Sequence, residues 1–161
     1  MPPKREIKAG DFSEDVLDFL KALDKHAVEY LIAGGVAVVF HGYPRLTGDI
    51  DFFFARTEAN SVRLYAAIAE FWEGNVPGIH AASDLLEEGI VFQFGRPPNR
   101  IDLLNKIDGI DFDDAWRDHE SVEMDVNGTV FQVRFLSRSA LLKNKLASGR
   151  PKDLDDIRHL E

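Results

Sequence analysis

Residues 33–51 read "AGGVAVVFHGYPRLTGDID", and their interpretation decides the fold. The apolar run 28–33, "VEYLIA", enters two adjacent glycines, Gly34 and Gly35. The segment 36–42, "VAVVFHG", then fits a short buried helix. Residues 49–55, "DIDFFFA", read as a second strand. Side chains alternate faces along a strand, so Asp49 and Asp51 project to one side, ~7 Å apart, while Ile50 and Phe52 face a core. Two carboxylates on one face repel unless a cation lies between them. The plainest reading is a solvated strand edge. The functional one is a divalent metal held by oxygen ligands, and Mg²⁺ suits a site of one or two carboxylates completed by water and substrate phosphate.

The surroundings favour the second reading. A strand entering a Gly-Gly turn lets backbone N–H groups approach an anion closely. Arg45 and Thr47 stand just ahead of the pair: Arg45 is a candidate phosphate contact, Thr47 a candidate support for the carboxylates or their loop. In "RIDLLN" (100–105), Asp102 alternates with Ile101 and Leu103 and so faces away from them. If that strand neighbours the Asp49–Asp51 strand, three carboxylates converge. Such a cluster suits two metals clamping the attacking and leaving oxygens of a phosphoryl transfer.

The rest of the chain supplies a frame for these residues. Asp11 or Ser13 caps a helix running to about His26, with Val16, Leu17, Phe19, Leu20 and Leu23 at helical spacing. Residues 57–72 form a second amphipathic helix, capped by Thr57. "GIVFQFG" and "RIDLLN" are strands joined by "RPPN". "FDDAWRDH" is a short helix. "SVEMDV" and "TVFQVRF" flank Asn127-Gly128, a strong hairpin signal. Residues 137–149 and 151–161 give two helices broken at Gly-Arg-Pro. The order α-β-α-β-α-β-β-α-β-β-α-α predicts a mixed sheet flanked by helices, in the α/β to α+β range. Residues 1–10 read as a flexible tail and 11–161 as a single domain with a C-terminal helical segment, 137–161.

Composition bounds the function. The 161 residues contain no cysteine, which excludes thiol catalysis and cysteine-based zinc sites. The net charge of −9 argues against a broad nucleic-acid-binding surface. No apolar run approaches membrane-spanning length and no signal-peptide core is present, so a soluble cytoplasmic protein with no membrane partner is expected. None of the five histidines pairs at metal-ligand spacing, and His41 reads as the end of its short helix rather than a base. No nucleophile elbow is present. Lys143, Lys145, Arg150 and Lys152 fall within ten residues of each other in this acidic chain. The plain reading of these bases is a solvated face pairing with Asp153, Asp155 and Asp156, which is taken for Lys143, whereas Lys145 is read as a candidate partner for phosphate. Lys152 and Asp153 are a candidate ion pair and cap tying the tail to the domain.

Gly34-Gly35, the thirteen residues after them, Asp49-Ile50-Asp51 and the later Asp102 strand together resemble the nucleotidyltransferase fold of the DNA polymerase β superfamily. The loop "GYPRLTGDIDF" and the tail "NKLASGRPKDLDDIRHLE" resemble more narrowly the small stand-alone bacterial branch related to AbiEii-type toxins and minimal nucleotidyltransferases. The resemblance covers roughly residues 28–161. It implies that Asp49 and Asp51 ligate two Mg²⁺ ions, with Mn²⁺ as an alternative. Asp102 would complete the second metal site and help deprotonate an attacking hydroxyl. Gly34 and Gly35 would hold the triphosphate, and Lys145 would meet its β/γ phosphates. The activity implied is transfer of a nucleoside monophosphate from an NTP, ATP among the candidates, to a hydroxyl of a protein, tRNA or small molecule. A toxin paired with an antitoxin protein is part of the same implication. A non-catalytic nucleotide-binding module and a metal-dependent phosphodiesterase are the alternatives. Three clustered acids argue against the former.

Overall fold

The computed structural model describes residues 2–74 and 76–161. Helix α1 (Glu14–Lys25) starts where the Ser13 hydroxyl accepts the Val16 N–H at 3.2 Å. Strand β1 (Tyr30–Ala33) passes directly into α2 (Gly34–Phe40), so both glycines sit in the first turn of that helix rather than ahead of it. Strand β2 (Asp49–Phe54) leads to α3 (Glu58–Phe71), capped by Thr57 through the Asn60 N–H. Strands β3 (Val91–Phe94) and β4 (Arg100–Leu104) precede the short α4 (Phe112–Arg117). The hairpin β5 (Glu120–Val126) and β6 (Thr129–Phe135) turns at Asn127-Gly128, where both residues have positive φ. Helices α5 (Arg138–Ser148) and α6 (Pro151–Leu160) close the chain, separated by Gly149 at φ 63° and Pro151 in the first turn of α6. The element order and the mixed-sheet architecture agree with the sequence reading.

The six strands form one sheet in the order β3-β4-β2-β1-β6-β5. β2 runs antiparallel to β1 and parallel to β4, and β1 runs parallel to β6. Alternation along the central strands builds two cores. Tyr30 and Ile32 of β1, Phe52 and Phe54 of β2, and Ile101 and Leu103 of β4 pack with α1 and α3 on one face. Leu31, Ala33 and Phe53 pack on the other with Leu141 of α5 and Leu160 of α6. Asp49 and Asp51 alternate in phase with Phe53. They therefore open onto the face carrying the C-terminal helices, beyond the end of its core.

The N-terminal segment read as a tail lies against the fold. Ile7 is buried, the Arg5 N–H donates to the Phe40 carbonyl at 2.9 Å, and Lys4 pairs with Glu120. His41 is the C-terminal cap of α2, as expected from its position. It is buried and its Nε2 bonds the Leu136 carbonyl at 2.8 Å, an arrangement that holds α2 against the end of β6. Among the described residues, no helix is long and apolar enough to cross a membrane.

Candidate active site

The site begins with two strands that are distant in sequence. In the parallel β2–β4 ladder, Asp49 stands beside Arg100 and Asp51 beside Asp102. Residues paired in register point to the same face, so three carboxylates and one guanidinium share it. One oxygen from each of Asp49, Asp51 and Asp102 lies within 4.8 Å of the other two. The convergence that the sequence made conditional on strand adjacency is therefore met. Asp102 is nearly buried, at 6 % exposure, whereas Asp49 and Asp51 keep partial access to solvent.

Such a cluster is electrostatically costly by itself. Burial, then the charges of Asp49 and Asp102 and a hydrogen bond shared with Asp102, push the Asp51 carboxyl up to about 7. Lys145 works in the opposite direction. Arg100 supplies the nearest compensating charge. Its Nη2 donates to Asp49 Oδ2 at 2.7 Å and to Asp102 Oδ2 at 3.0 Å, and its Nε donates to Asp102 Oδ1 at 2.9 Å. A cationic group thus already bridges two of the three acids. Three carboxylate ligands on a semi-open face form an oxygen-only donor set of the kind hard divalent ions take. The residues fit a metal centre.

Position 34, directly after β1, requires a glycine. Its φ is +60°, and a Cβ there would stand 2.2 Å from Asp51 Oδ2. The β1–β2 register causes this closeness, since Ala33 pairs with Asp51. Gly35 meets the loop instead: a Cβ would lie 2.7 Å from Thr47 Oγ1 and 3.2 Å from an Arg45 nitrogen. The two glycines let the start of α2, the carboxylates and the 43–48 loop occupy one small volume. Thr47 serves the loop: its hydroxyl donates to the Asp49 carbonyl at 3.0 Å and fixes the entry into β2.

Arg45 and Lys145 converge on α6. Arg45 donates to Asp156 from Nε at 2.8 Å and Nη2 at 3.0 Å. Lys145 is 5 % exposed, and its ammonium lies 3.0 Å from Asp156 Oδ2 and 3.2 Å from Asp153 Oδ1. Buried acids need such partners, and Asp156 is wholly buried. Burial works to raise the Asp153 carboxyl, but hydrogen bonds from Arg150 and Lys145 outweigh it and the net direction is downward. The tie at the start of α6 joins Asp153 to Arg150 and Lys145, rather than to Lys152 as the sequence indicated. Asp153 accepts the Arg150 backbone N–H at 3.2 Å and its Nε at 2.9 Å.

A cavity of about 300 Å³ opens beside the cluster, lined by Gly34, Asp51, Lys106, Asn144, Lys145 and Arg150 among others. A second, of about 370 Å³, lies at the N-terminal ends of β2 and β4, where Asp49, Thr47 and Arg45 meet apolar side chains such as Val36, Val39 and Phe12. The first reaches the acidic cluster through Asp51 and adds Asp108 and three basic residues. The second is mostly apolar.

Arg100 carries a role that the sequence reading did not assign to it, and Asp156 pairs with Lys145 as the alternative reading had it, but buried and shared with Arg45 rather than on a solvated face. Arg100 had a signal, because it lies two residues before Asp102 and so shares its face. Asp156 had a fainter one: Asp153, Asp156 and Leu160 fall at i, i+3, i+7 and form a buried stripe.

The sequence matches the model of a nucleotidyltransferase family of unknown function (DUF6036) over residues 14–161, and the chain belongs to that family. No curated protein matches it significantly.

Proposed function

We propose that this protein is a metal-dependent nucleotidyltransferase of the polymerase β type. It would transfer a nucleoside monophosphate from a Mg-bound NTP to a hydroxyl and release pyrophosphate. The observation that carries the reading is the convergence of Asp49, Asp51 and Asp102 from two strands onto one partly open face. Family membership supports nucleotidyl transfer at the coarse level.

Each residue's part follows from its position. Asp49 and Asp51 would hold two ions, with Asp102 completing the second. When bound, the ions would neutralise phosphate charge and polarise the phosphorus centre. Gly34 keeps that space clear of side-chain carbon. Backbone N–H groups of Gly34 and Gly35 would face the triphosphate. Lys106, Lys145 and Arg150 are the basic residues of the adjoining cavity and would meet the β- and γ-phosphates, Lys145 by loosening its pairs with Asp153 and Asp156. Asp102 would accept the proton of the attacking hydroxyl as the new O–P bond forms and the bond from the α-phosphorus to the bridging oxygen breaks. Arg45 and Thr47 would contribute mainly by position: Arg45 ties the loop to Asp156, and Thr47 ties it to Asp49. A direct phosphate contact by Arg45 would require it to release Asp156. Much of the expected catalysis is orientation and charge neutralisation.

The test is incubation with Mg²⁺ and each α-labelled NTP in cell lysate, beside Asp49→Ala and Asp51→Ala. Label on an acceptor that disappears in both variants supports transfer. Free NMP without adduct identifies a phosphodiesterase. Tight nucleotide binding with neither product identifies a non-catalytic module and ends the enzyme reading.

A further inference from the structure

We propose that Arg100 is an exchangeable counter-cation: its guanidinium holds oxygens of Asp49 and Asp102 that a metal at this cluster would use, and metal loading drives it off Asp49. This rests on the metal reading above and adds a positioning residue to it.

Three features support the exchange. The first is placement. Arg100 is the register partner of Asp49 and lies two residues before Asp102 on the same strand, so its side chain emerges inside the acidic face. The second is saturation. A single nitrogen, Nη2, bridges Asp49 Oδ2 at 2.7 Å and Asp102 Oδ2 at 3.0 Å, while Nε takes Asp102 Oδ1 at 2.9 Å. Both Asp102 oxygens are therefore engaged by one planar fork. Among the described residues, no other basic side chain forms an ion pair with Asp49 or Asp102. The third is mutual exclusion. The ligand oxygens lie within 4.8 Å of one another, and a divalent ion bound through an oxygen that Arg100 already holds would lie within about 5 Å of the guanidinium. Two cations at that separation in a partly desolvated site repel strongly. The Arg100 side chain is 30 % exposed, which gives it a route to solvent when it leaves.

The arrangement has a clear consequence. Without metal, Arg100 keeps Asp49 and Asp102 at ligand spacing instead of letting them repel. With metal, the same contacts become a competing interaction that weakens ion affinity. A lysine at this position would keep the charge but lose the fixed two-pronged grip, because an ammonium carries its three donors on one nitrogen at the end of a flexible stem.

The experiment titrates Mg²⁺ and Mn²⁺ into wild type, Arg100→Lys and Arg100→Ala by calorimetry, without nucleotide. In parallel, the Arg100 Nε–H resonance is followed in the wild type and assigned by its loss in Arg100→Lys. Arg100→Ala should bind metal roughly tenfold tighter and Arg100→Lys should fall between it and wild type. The Arg100 Nε–H signal should move or broaden in step with metal occupancy. Equal affinity in wild type and Arg100→Lys would leave only a general charge effect and overturn the exchange. So would an Nε–H signal unmoved at metal saturation. Absence of metal binding in all three proteins, with Asp51→Ala no different, overturns the metal reading itself and this proposal with it.

Discussion

Replacing Gly34 by alanine tests the site at its tightest point. An alanine at φ +60° carries the left-handed conformational penalty of about 1–2 kcal/mol. Its Cβ would also lie 2.2 Å from Asp51 Oδ2, where an ordinary contact begins near 3.4 Å, so that oxygen must retreat by about 1.2 Å. The β1–β2 register leaves the backbone little freedom to absorb this, and the shift falls on the carboxylate. A displacement of about 1 Å at a reacting centre costs on the order of 100-fold in rate. Gly128→Ala is the control, because Gly128 has φ +86° and no atom within 4 Å of its added Cβ. Both variants should lose melting temperature by about 2–8 °C. Only Gly34→Ala should lose at least about 100-fold in label transfer and weaken Mg²⁺ binding in calorimetry. If Gly34→Ala keeps wild-type metal affinity and activity, the close approach of Gly34 to Asp51 does not shape the site and the reasoning fails.

Three further outcomes follow from the same geometry. Asp51→Asn should stabilise the metal-free protein while abolishing transfer. The raised carboxyl makes the folded state bind the extra proton between 3.8 and about 7, so wild-type stability from this group falls as pH rises through that window. The whole displacement corresponds to about 4 kcal/mol at pH 8, and partial solvent access brings the expected gain to about 2 kcal/mol. In denaturant melts that gain should shrink steadily as the pH is lowered toward 4, and a gain independent of pH rules out the Asp51 proton as its source. His41 has the opposite sign: burial holds it below its usual 6.5, so in an Asp51→Asn background stability should fall on acidification below 6.5. Adding His41→Gln should flatten that slope. Asp156→Ala leaves Arg45 without a carboxylate and Lys145 with Asp153 alone, and should cost about 3–5 kcal/mol, read as a drop in melting temperature. A change within 1 °C would show that Arg45 and Lys145 find solvent at no cost.

Much of this protein follows from local rules. Apolar spacing of 3.6 or 2 marks the helices and strands, Ser13 and Thr57 announce their helices by capping, and Asn127-Gly128 closes its hairpin. Alternation alone puts Asp49 beside Asp51 and turns Ile50 and Phe52 toward the opposite core. These effects act over a few residues and are legible in one chain. The C-terminal helix shows where such reading stops. Hydrophobicity would turn Leu154 inward, yet Leu154 is 44 % exposed while Asp153 and Asp156 are buried. Their burial is stabilised by Arg45, Lys145 and Arg150, and Arg45 lies more than a hundred residues away from Asp156.

The sequence by itself determined that two carboxylates share a face behind a glycine pair, and that a third stands alone on a later strand. Only the tertiary structure decided that β4 lies parallel to β2 with Asp102 at the level of Asp51. It also decided that Arg100 enters the same cluster. Strand order is set by which arrangement buries both faces of the whole sheet and pairs its backbone at once, a condition on all the elements together that no local pattern contains.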